Sequence, residues 1–203
     1  MTDRPIICYP HEVRAMLDGR QTMLRRLAWQ KPRIWFGDDS GPKEPVMVPT
    51  IWQRAEPEDV LYVREQFAVV PRTAYARSDG VQQTLKPESD WEAAIYREGW
   101  ERSTGGFRWK SSSQMPRWAS RLTLTVTAAR VERLQDISAS DAEAEGIDLR
   151  GADPEAPWGL NAVLAFSSLW ESIHGPGSWD ANPEVVAITV TVERRNIDAK
   201  EER

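Results

Sequence analysis

The sequence has few of the residues from which disulfides and metal sites are built. It has 203 residues, with one cysteine and two histidines. Cys8 has no partner for an intrachain disulfide, and in the apolar run 6–9 we expect a buried, unreactive thiol. His11 and His174 are far apart and fit no metal-ligand spacing. We therefore expect a reducing compartment, a structural role for both histidines, and neither a metal nor another cofactor.

Long apolar segments and common catalytic motifs are also missing. No stretch approaches the roughly 20 apolar residues that cross a bilayer, and residues 1–5 lack the apolar core of a signal peptide. The sequence has no Gly-x-Ser-x-Gly elbow, no phosphate-binding glycine loop and no dinucleotide-binding fingerprint. These absences predict a cytoplasmic protein without a membrane partner, and they argue against the enzyme classes that those motifs define.

Charge is distributed unevenly along the chain. The net charge of −5 argues against a protein that coats nucleic acid. Residues 1–35 nevertheless hold seven Lys/Arg against three Asp/Glu, whereas residues 135–184 hold one Arg against ten Asp/Glu. This pattern predicts a local basic surface near the N-terminus, which could bind a phosphate without strong non-specific affinity for nucleic acid.

Apolar periodicity predicts strands separated by short helices, which is typical of an α+β fold. Alternation over residues 121–126 and 186–192 predicts two long strands, and a change of phase predicts a β-bulge near residues 128–129. A serine cap and Gly146 bound a short acidic helix between these strands. A small β-barrel with flanking helices is the simplest closure, because a barrel leaves no sheet edge unpaired.

The regular spacing of apolar residues that predicts helices and strands is absent over residues 71–115. This segment carries a run of three serines and scattered aromatic residues. We predict an irregular insertion there, with one short hairpin and a helical turn near residues 91–100. The rest of the chain belongs with it to a single domain spanning residues 1–203.

Six motifs follow one another in an informative order. They are GRQTMLRR (19–26), VLYVRE (60–65), MPRWASR (115–121), LQDI (134–137), LWESI (169–173) and WDANP (179–183). Together they resemble the ASCH domain family of the PUA-like superfamily, in particular its phage and prophage branch, over nearly the whole chain except residues 71–110. The resemblance implies a small, twisted PUA-like β-barrel, a cleft suited to RNA, a nucleotide or a modified base, and a bacterial host cell.

The family signature Gly-x-Lys-x-x-Glu-x-Arg is only partly kept. Gly19 and Arg26 match it, whereas Gln21 stands at the lysine position and Leu24 at the glutamate position. A related enzyme, N4-acetylcytidine amidohydrolase, has threonine at the latter position, and the resemblance implies that its later glutamate corresponds to Glu145. An amide does not titrate as a lysine does, and leucine cannot be a nucleophile. These departures favour binding over amide hydrolysis.

Arginine and tryptophan side chains are the candidate ligand-binding groups. A guanidinium can hold a phosphate or carboxylate bidentately, and one of the ten tryptophans beside an arginine could stack a base. Strand alternation predicts Arg20 and Arg26 on one face and Arg25 on the other, so that at most two share a ligand. The competing interpretation is that the arginines are solvated surface charges and that the tryptophan only packs in the fold. The candidate set is Arg20, Gln21, Arg25, Arg26, Arg64, Arg117 and Trp118.

Three functions are compatible with these residues. The favoured one is binding of RNA, single-stranded nucleic acid or a modified nucleoside in the cleft. The second is hydrolysis of a modified nucleoside or of nucleic acid, with Glu145 or Glu65 as general base and Thr22 or a water as nucleophile. The third is a phage protein-interaction module that binds a protein partner through the acidic helix and the tryptophan-rich insertion. An exposed aromatic patch over residues 91–109 would favour it.

Overall fold

The structure, a computed structural model, describes residues 3–31, 46–149 and 158–199. Within these ranges the α-helices are α1 (Pro10–Leu17), α2 (Ala139–Ala144) and α3 (Trp158–His174). The strands are β1 (Asp3–Ile7), β2 (Met23–Leu27), β3 (Trp29–Gln30), β4 (Val48–Pro49), β5 (Val60–Arg64), β6 (Phe67–Pro71), β7 (Thr84–Leu85), β8 (Glu92–Tyr96), β9 (Thr123–Arg133) and β10 (Glu184–Glu193). This mixture of elements confirms the predicted α+β class.

A five-stranded sheet in the order β1-β5-β9-β10-β2 forms the centre of the fold. β1 runs parallel to β5, and the other neighbours are antiparallel. The two long strands that alternation predicted are β9 and β10. Thr189 pairs with Ala128 and Val190 with Val126, so Thr127 is the extra residue of a β-bulge. The bulge explains the change of phase in the sequence and lies one residue before its predicted position.

Two apolar cores lie against this sheet. The main core joins α1 to the sheet, and its largest fully buried residues are Ile6, Met16, Leu24, Leu61, Leu122, Leu124 and Ile188. The second core joins α2 and α3 to one end of β2 and β10 through Ala142, Phe166, Trp170 and Val185. α2 begins after the Ser138 cap and ends before Gly146, as predicted. None of the described helices is long and apolar enough to cross a bilayer.

The predicted closed barrel is not confirmed. The described strands pair into a five-stranded, a three-stranded and a two-stranded sheet, and β1 and β2 are the two edges of the largest one. A side chain bridges these edges, because Arg26 of β2 donates from Nη2 to the Ile7 carbonyl oxygen at 3.3 Å. α1 connects the same two strands in sequence and covers the core that a barrel would enclose.

The segment 71–115 is more regular than predicted. A three-stranded sheet in the order β6-β8-β7 reaches into it, and β8 occupies the place of the predicted helical turn, which is therefore wrong. Ala94 and Tyr96 face one small core and Ile95 faces another, so β8 is buried on both sides. A strand buried on both faces shows no alternation of polar and apolar residues, which is why the periodicity fails there.

Candidate ligand-binding cleft

A cleft of about 820 Å³ opens between the N-terminal half of α1, β2 and the C-terminal half of α3. It runs past the outer edge of β2, so side chains from both faces of this strand line it. Arg26 reaches towards α1, and Arg25 reaches towards α3. The two arginines of β2 that line the cleft are therefore Arg25 and Arg26, whereas Arg20 is not among the lining residues. Alternation alone predicted a different pair.

Aromatic rings form much of the cleft wall. They are Tyr9, Trp29, Trp52, Phe166 and Trp170. The Trp170 ring stacks on His174 with centroids 4.0 Å apart, and the Tyr9 ring stacks on His11 at 5.8 Å. Both histidines line the cleft, although they are far apart in sequence. Burial lowers the pKa of each imidazole below its usual value, which favours the neutral ring near pH 7.

Arg25 is the most heavily bonded charge in the cleft wall. Its Nη1 donates to Glu145 Oε1 at 2.8 Å, and its Nη2 donates to Glu132 Oε1 at 2.6 Å and to Asp141 Oδ2 at 3.2 Å. Its side chain is buried, and the guanidinium carbon lies 5.8 Å from the centre of the Phe166 ring. Three carboxylates thus neutralise this guanidinium, which limits its use as a binding site for a further anion.

Glu12 holds the second arginine and is a residue that sequence reasoning missed. Its Oε1 accepts from Arg26 Nη1 at 2.8 Å, and its Oε2 accepts from the Tyr9 backbone N–H at 2.7 Å. Glu12 is buried although it is charged. A glutamate in the first turn of a helix that begins with Pro10 is a known capping signal, which could have identified it.

Gln21 and Glu145 lie next to each other in the cleft wall. Their backbones form an antiparallel bridge, and both side chains are buried lining residues. Burial raises the pKa of Glu145 to about 7, against the lowering effect of Arg25. Leu24, by contrast, points into the main core and is fully buried there. Of the positions carried over from the resemblance, the structure brings together Gln21, Arg26 and Glu145 and directs Leu24 elsewhere.

Arg64 is the last predicted binding residue that lines the cleft. Its Nη1 donates to the Ser113 carbonyl oxygen at 3.3 Å, and its guanidinium lies 5.7 Å from the centre of the Tyr62 ring. It is half-buried rather than fully enclosed. Arg64 can therefore supply a positive charge at the outer part of the cleft.

Arg20 and Thr22 lie near the cleft without lining it. Arg20 donates to Asp18 Oδ2 at 3.0 Å and to the Gly146 carbonyl oxygen, so it ties the end of α1 to the end of α2. Thr22 is exposed, and its backbone N–H donates to the Ala144 carbonyl oxygen at 2.8 Å. A nucleophilic role for Thr22 in this cleft has no support from its position.

The remaining candidates lie outside the cleft. Glu65 is buried, accepts from Arg121 with both carboxylate oxygens at 2.8 and 2.9 Å, and lines a separate pocket of about 230 Å³. Burial raises the pKa of its carboxyl, and the bonds from Arg121 oppose that effect. Arg117 is paired with two exposed aspartates, and Trp118 packs beside Lys86, whose Nζ lies 5.9 Å from its ring centre. These residues have structural partners and do not share a site with Glu145.

The aromatic residues of the insertion pack mainly against one another. Trp100 lies 5.4 Å from Phe107 and 5.6 Å from Trp109 between ring centroids, at steep interplanar angles. Tyr75 completes this cluster, whereas Trp91 is 81% exposed. Over residues 91–109 the large exposed aromatic surface is therefore that of Trp91, and binding of a protein partner through the insertion stays a hypothesis.

The described residues hold no group of three histidine, cysteine, aspartate or glutamate side chains that could ligate a metal ion. The cleft is lined by aromatic rings, paired charges, the amides of Gln21 and Gln30 and the Glu145 carboxyl of raised pKa. Comparisons of the chain with protein-family models, with curated proteins and with solved structures found no match. The relationship to ASCH domains thus stays a prediction that rests on the sequence motifs.

Proposed function

We propose that the chain binds a nucleoside or nucleotide, free or as part of a single-stranded RNA, in the cleft between α1, β2 and α3. The observation that carries the proposal is the combination of aromatic walls with buried polar groups in one cleft. Aromatic rings stack on the faces of bases, while a few fixed polar groups bond to their edges. The volume of about 820 Å³ suits a ligand of this size.

The neighbouring positions of Gln21 and Glu145 support a relationship to PUA-like ASCH domains as part of this proposal. The resemblance links these two positions from distant parts of the sequence, and their backbones form a bridge. The acidic net charge favours selective binding in a cleft over binding driven by the phosphate backbone. A bacterial cytoplasm with phage or prophage origin belongs to the same proposal.

Calorimetric titration with nucleosides, nucleoside monophosphates, short RNAs and single-stranded DNA tests the proposal. Trp29 lines the cleft and is 39% exposed, so Trp29→Ala removes a stacking surface, together with the bond that its Nε1 donates to Glu184. Trp91→Ala is the matched control, because Trp91 is an exposed tryptophan outside the cleft. We expect Trp29→Ala to weaken binding about tenfold, in line with the value of one base–aromatic stack, and Trp91→Ala to leave it unchanged.

Equal affinities for the wild type and both variants would place any binding site elsewhere. An absence of binding by every member of the panel would refute the proposal. Thermal denaturation of each variant accompanies the titrations, because a bound ligand must also raise the melting temperature.

The pKa of Glu145 favours a second candidate function, hydrolysis of a modified nucleoside. A carboxyl with a pKa of about 7 is half ionised near neutral pH and suits a general base that activates water. Turnover of acylated nucleosides that is lost in Glu145→Gln would support this function. The absence of turnover across such a panel, with binding retained, would leave the chain as a binding protein.

A further inference from the structure

Three of the residues lining the cleft carry a buried polar atom that has no hydrogen-bond partner in the described parts of the chain. These atoms are Gln21 Oε1, Arg64 Nε and Trp170 Nε1. Buried polar groups in folded proteins are nearly always bonded, since leaving one unpaired is costly. Two of the three belong to side chains that are almost fully buried, with exposures of 1% for Gln21 and 4% for Trp170. The presence of three unpaired buried atoms on residues that line one cleft needs a physical explanation.

The orientation of the Gln21 amide is fixed by its surroundings. Its Nε2 donates to the Met23 carbonyl oxygen at 3.1 Å. Because a carbonyl can only accept, the amide cannot be reversed without losing this bond. Gly146 packs closely over the same side chain, since a Cβ at that position would lie 3.0 Å from Gln21 Cβ and 3.4 Å from Oε1. Gln21 Oε1 is therefore a fixed, buried acceptor on a residue that lines the cleft.

Trp170 presents the complementary group. An indole nitrogen is a donor only, and the ring is held between His174 at 4.0 Å and Phe166 at 6.1 Å between centroids. The two groups lie at separate places in the cleft wall and are linked through intervening residues. The link runs from Gln21 through the bridge to Glu145, then through Arg25 to the Phe166 ring that packs on Trp170.

The charged groups between them are already paired. Three carboxylates hold Arg25, and Glu12 holds Arg26. An anionic ligand would compete with bonds of 2.6–3.2 Å that are already present. Apart from Arg64 Nε, the unpaired buried atoms of the described lining residues are therefore one acceptor and one donor, both uncharged.

We propose that the cleft recognises the uncharged polar groups of a planar heterocycle, with a ring or exocyclic N–H donating to Gln21 Oε1 and a separate acceptor of the same ligand receiving the Trp170 Nε1–H. This inference rests on the proposed function and selects within it. A base in a neutral nucleoside satisfies both groups, and a phosphate is not required. Gln21 and Trp170 are then the specificity-determining residues.

Probes that differ in one donor test the inference on the wild-type chain. Adenosine and uridine each carry a donor beside an acceptor on one edge, whereas N6,N6-dimethyladenosine and 3-methyluridine lack that donor. We expect at least one parent nucleoside to bind and its methylated form to bind about tenfold or more weakly, because a buried acceptor is then left unpaired. Affinity should change little between about 0.05 M and 0.5 M salt, and a 5′-phosphate should add little.

Matched variants assign the discrimination to the two side chains. Gln21→Met and Trp170→Phe remove the unpaired atoms, while Gln83→Met removes an unpaired amide nitrogen and Trp100→Phe an unpaired indole nitrogen outside the cleft. We expect about three- to tenfold weaker binding for each cleft variant and no change for the controls. Gln21→Met should also bind a parent nucleoside and its methylated form with similar affinity.

Two results would overturn the inference while leaving the proposed function in place. One is nucleoside binding that Gln21→Met and Trp170→Phe affect no more than the controls do. The other is binding that needs the phosphate and falls steeply with salt. A wild-type chain that binds no nucleoside and no nucleotide would refute the proposed function itself, and this inference with it.

Discussion

The buried carboxyl of Glu145 makes the stability of the chain depend on pH in a predictable direction. Burial raises its pKa from an ordinary value of 4.5 to about 7, although Arg25 and Arg26 act to lower it. The folded chain thus holds this proton more tightly than the unfolded chain. Stability due to this group is highest below about pH 4.5, falls as the pH rises to about 7, and is then constant. The difference between the two pKa values corresponds to about 3 kcal/mol.

The variant Glu145→Gln keeps the side-chain volume and removes the titration. We measure the free energy of unfolding of both proteins by urea denaturation at several pH values. The difference between Glu145→Gln and the wild type should shift by about 3 kcal/mol in favour of the variant between about pH 4.5 and pH 8, because the wild type loses stability over this range. Glu88→Gln, at an exposed position on the surface, controls for the loss of one charge. A constant difference between Glu145→Gln and the wild type over this range would refute the reasoning. A difference that moves in the opposite direction would show that the bond from Arg25 outweighs burial.

Three further substitutions test the packing around the cleft. Leu24→Thr should lower the free energy of unfolding by about 3 kcal/mol in urea denaturation and produce no hydrolysis of acylated nucleosides, since this side chain points into the main core. A stable variant with turnover would contradict that orientation. Glu12→Ala should lower the free energy of unfolding by about 3 kcal/mol because it leaves the Arg26 charge unpaired. Asp198→Ala breaks an exposed ion pair and should lower it by under about 1 kcal/mol. Equal losses would show that the burial of an ion pair does not matter here. Gly146→Ala should destabilise the chain by more than Gly80→Ala, because both have a positive φ but a Cβ at Gly146 would lie 2.5 Å from Ala15 Cβ; similar melting temperatures would refute the close approach.

Local signals in the sequence predicted much of the secondary structure for physical reasons that act over a few residues. A serine cap and a glycine stop bound α2, and a single extra residue in β9 shifts the alternation that the sequence displays. β8 could not be found in this way, because both of its faces are buried and Ala94 and Ile95 serve different cores.

The composition of the cleft depends on contacts between residues far apart in sequence. Glu145 and Arg26 were placed in one site through the resemblance, and both line the cleft. Trp170 and His174 also line it, yet nothing in their local sequence distinguishes them from core residues. Alternation predicted Arg25 and Arg26 on opposite faces of β2, and the structure places them so. Both line one cleft because β2 is an edge strand and the cleft runs past that edge. Edge positions follow from the pairing of whole strands, which alternation does not reveal.

The most direct test of the central claim is to observe the indole N–H signals of the tryptophans by ¹⁵N-edited NMR during titration with a nucleoside. The ten tryptophans are distributed over the chain, and Trp29, Trp52 and Trp170 line the cleft. The account predicts that these three signals move, with the Trp170 N–H shifting as it gains a hydrogen bond, while those of Trp91 and Trp100 stay in place. Movement confined to Trp91 or Trp118, with the three cleft signals unchanged, would contradict it.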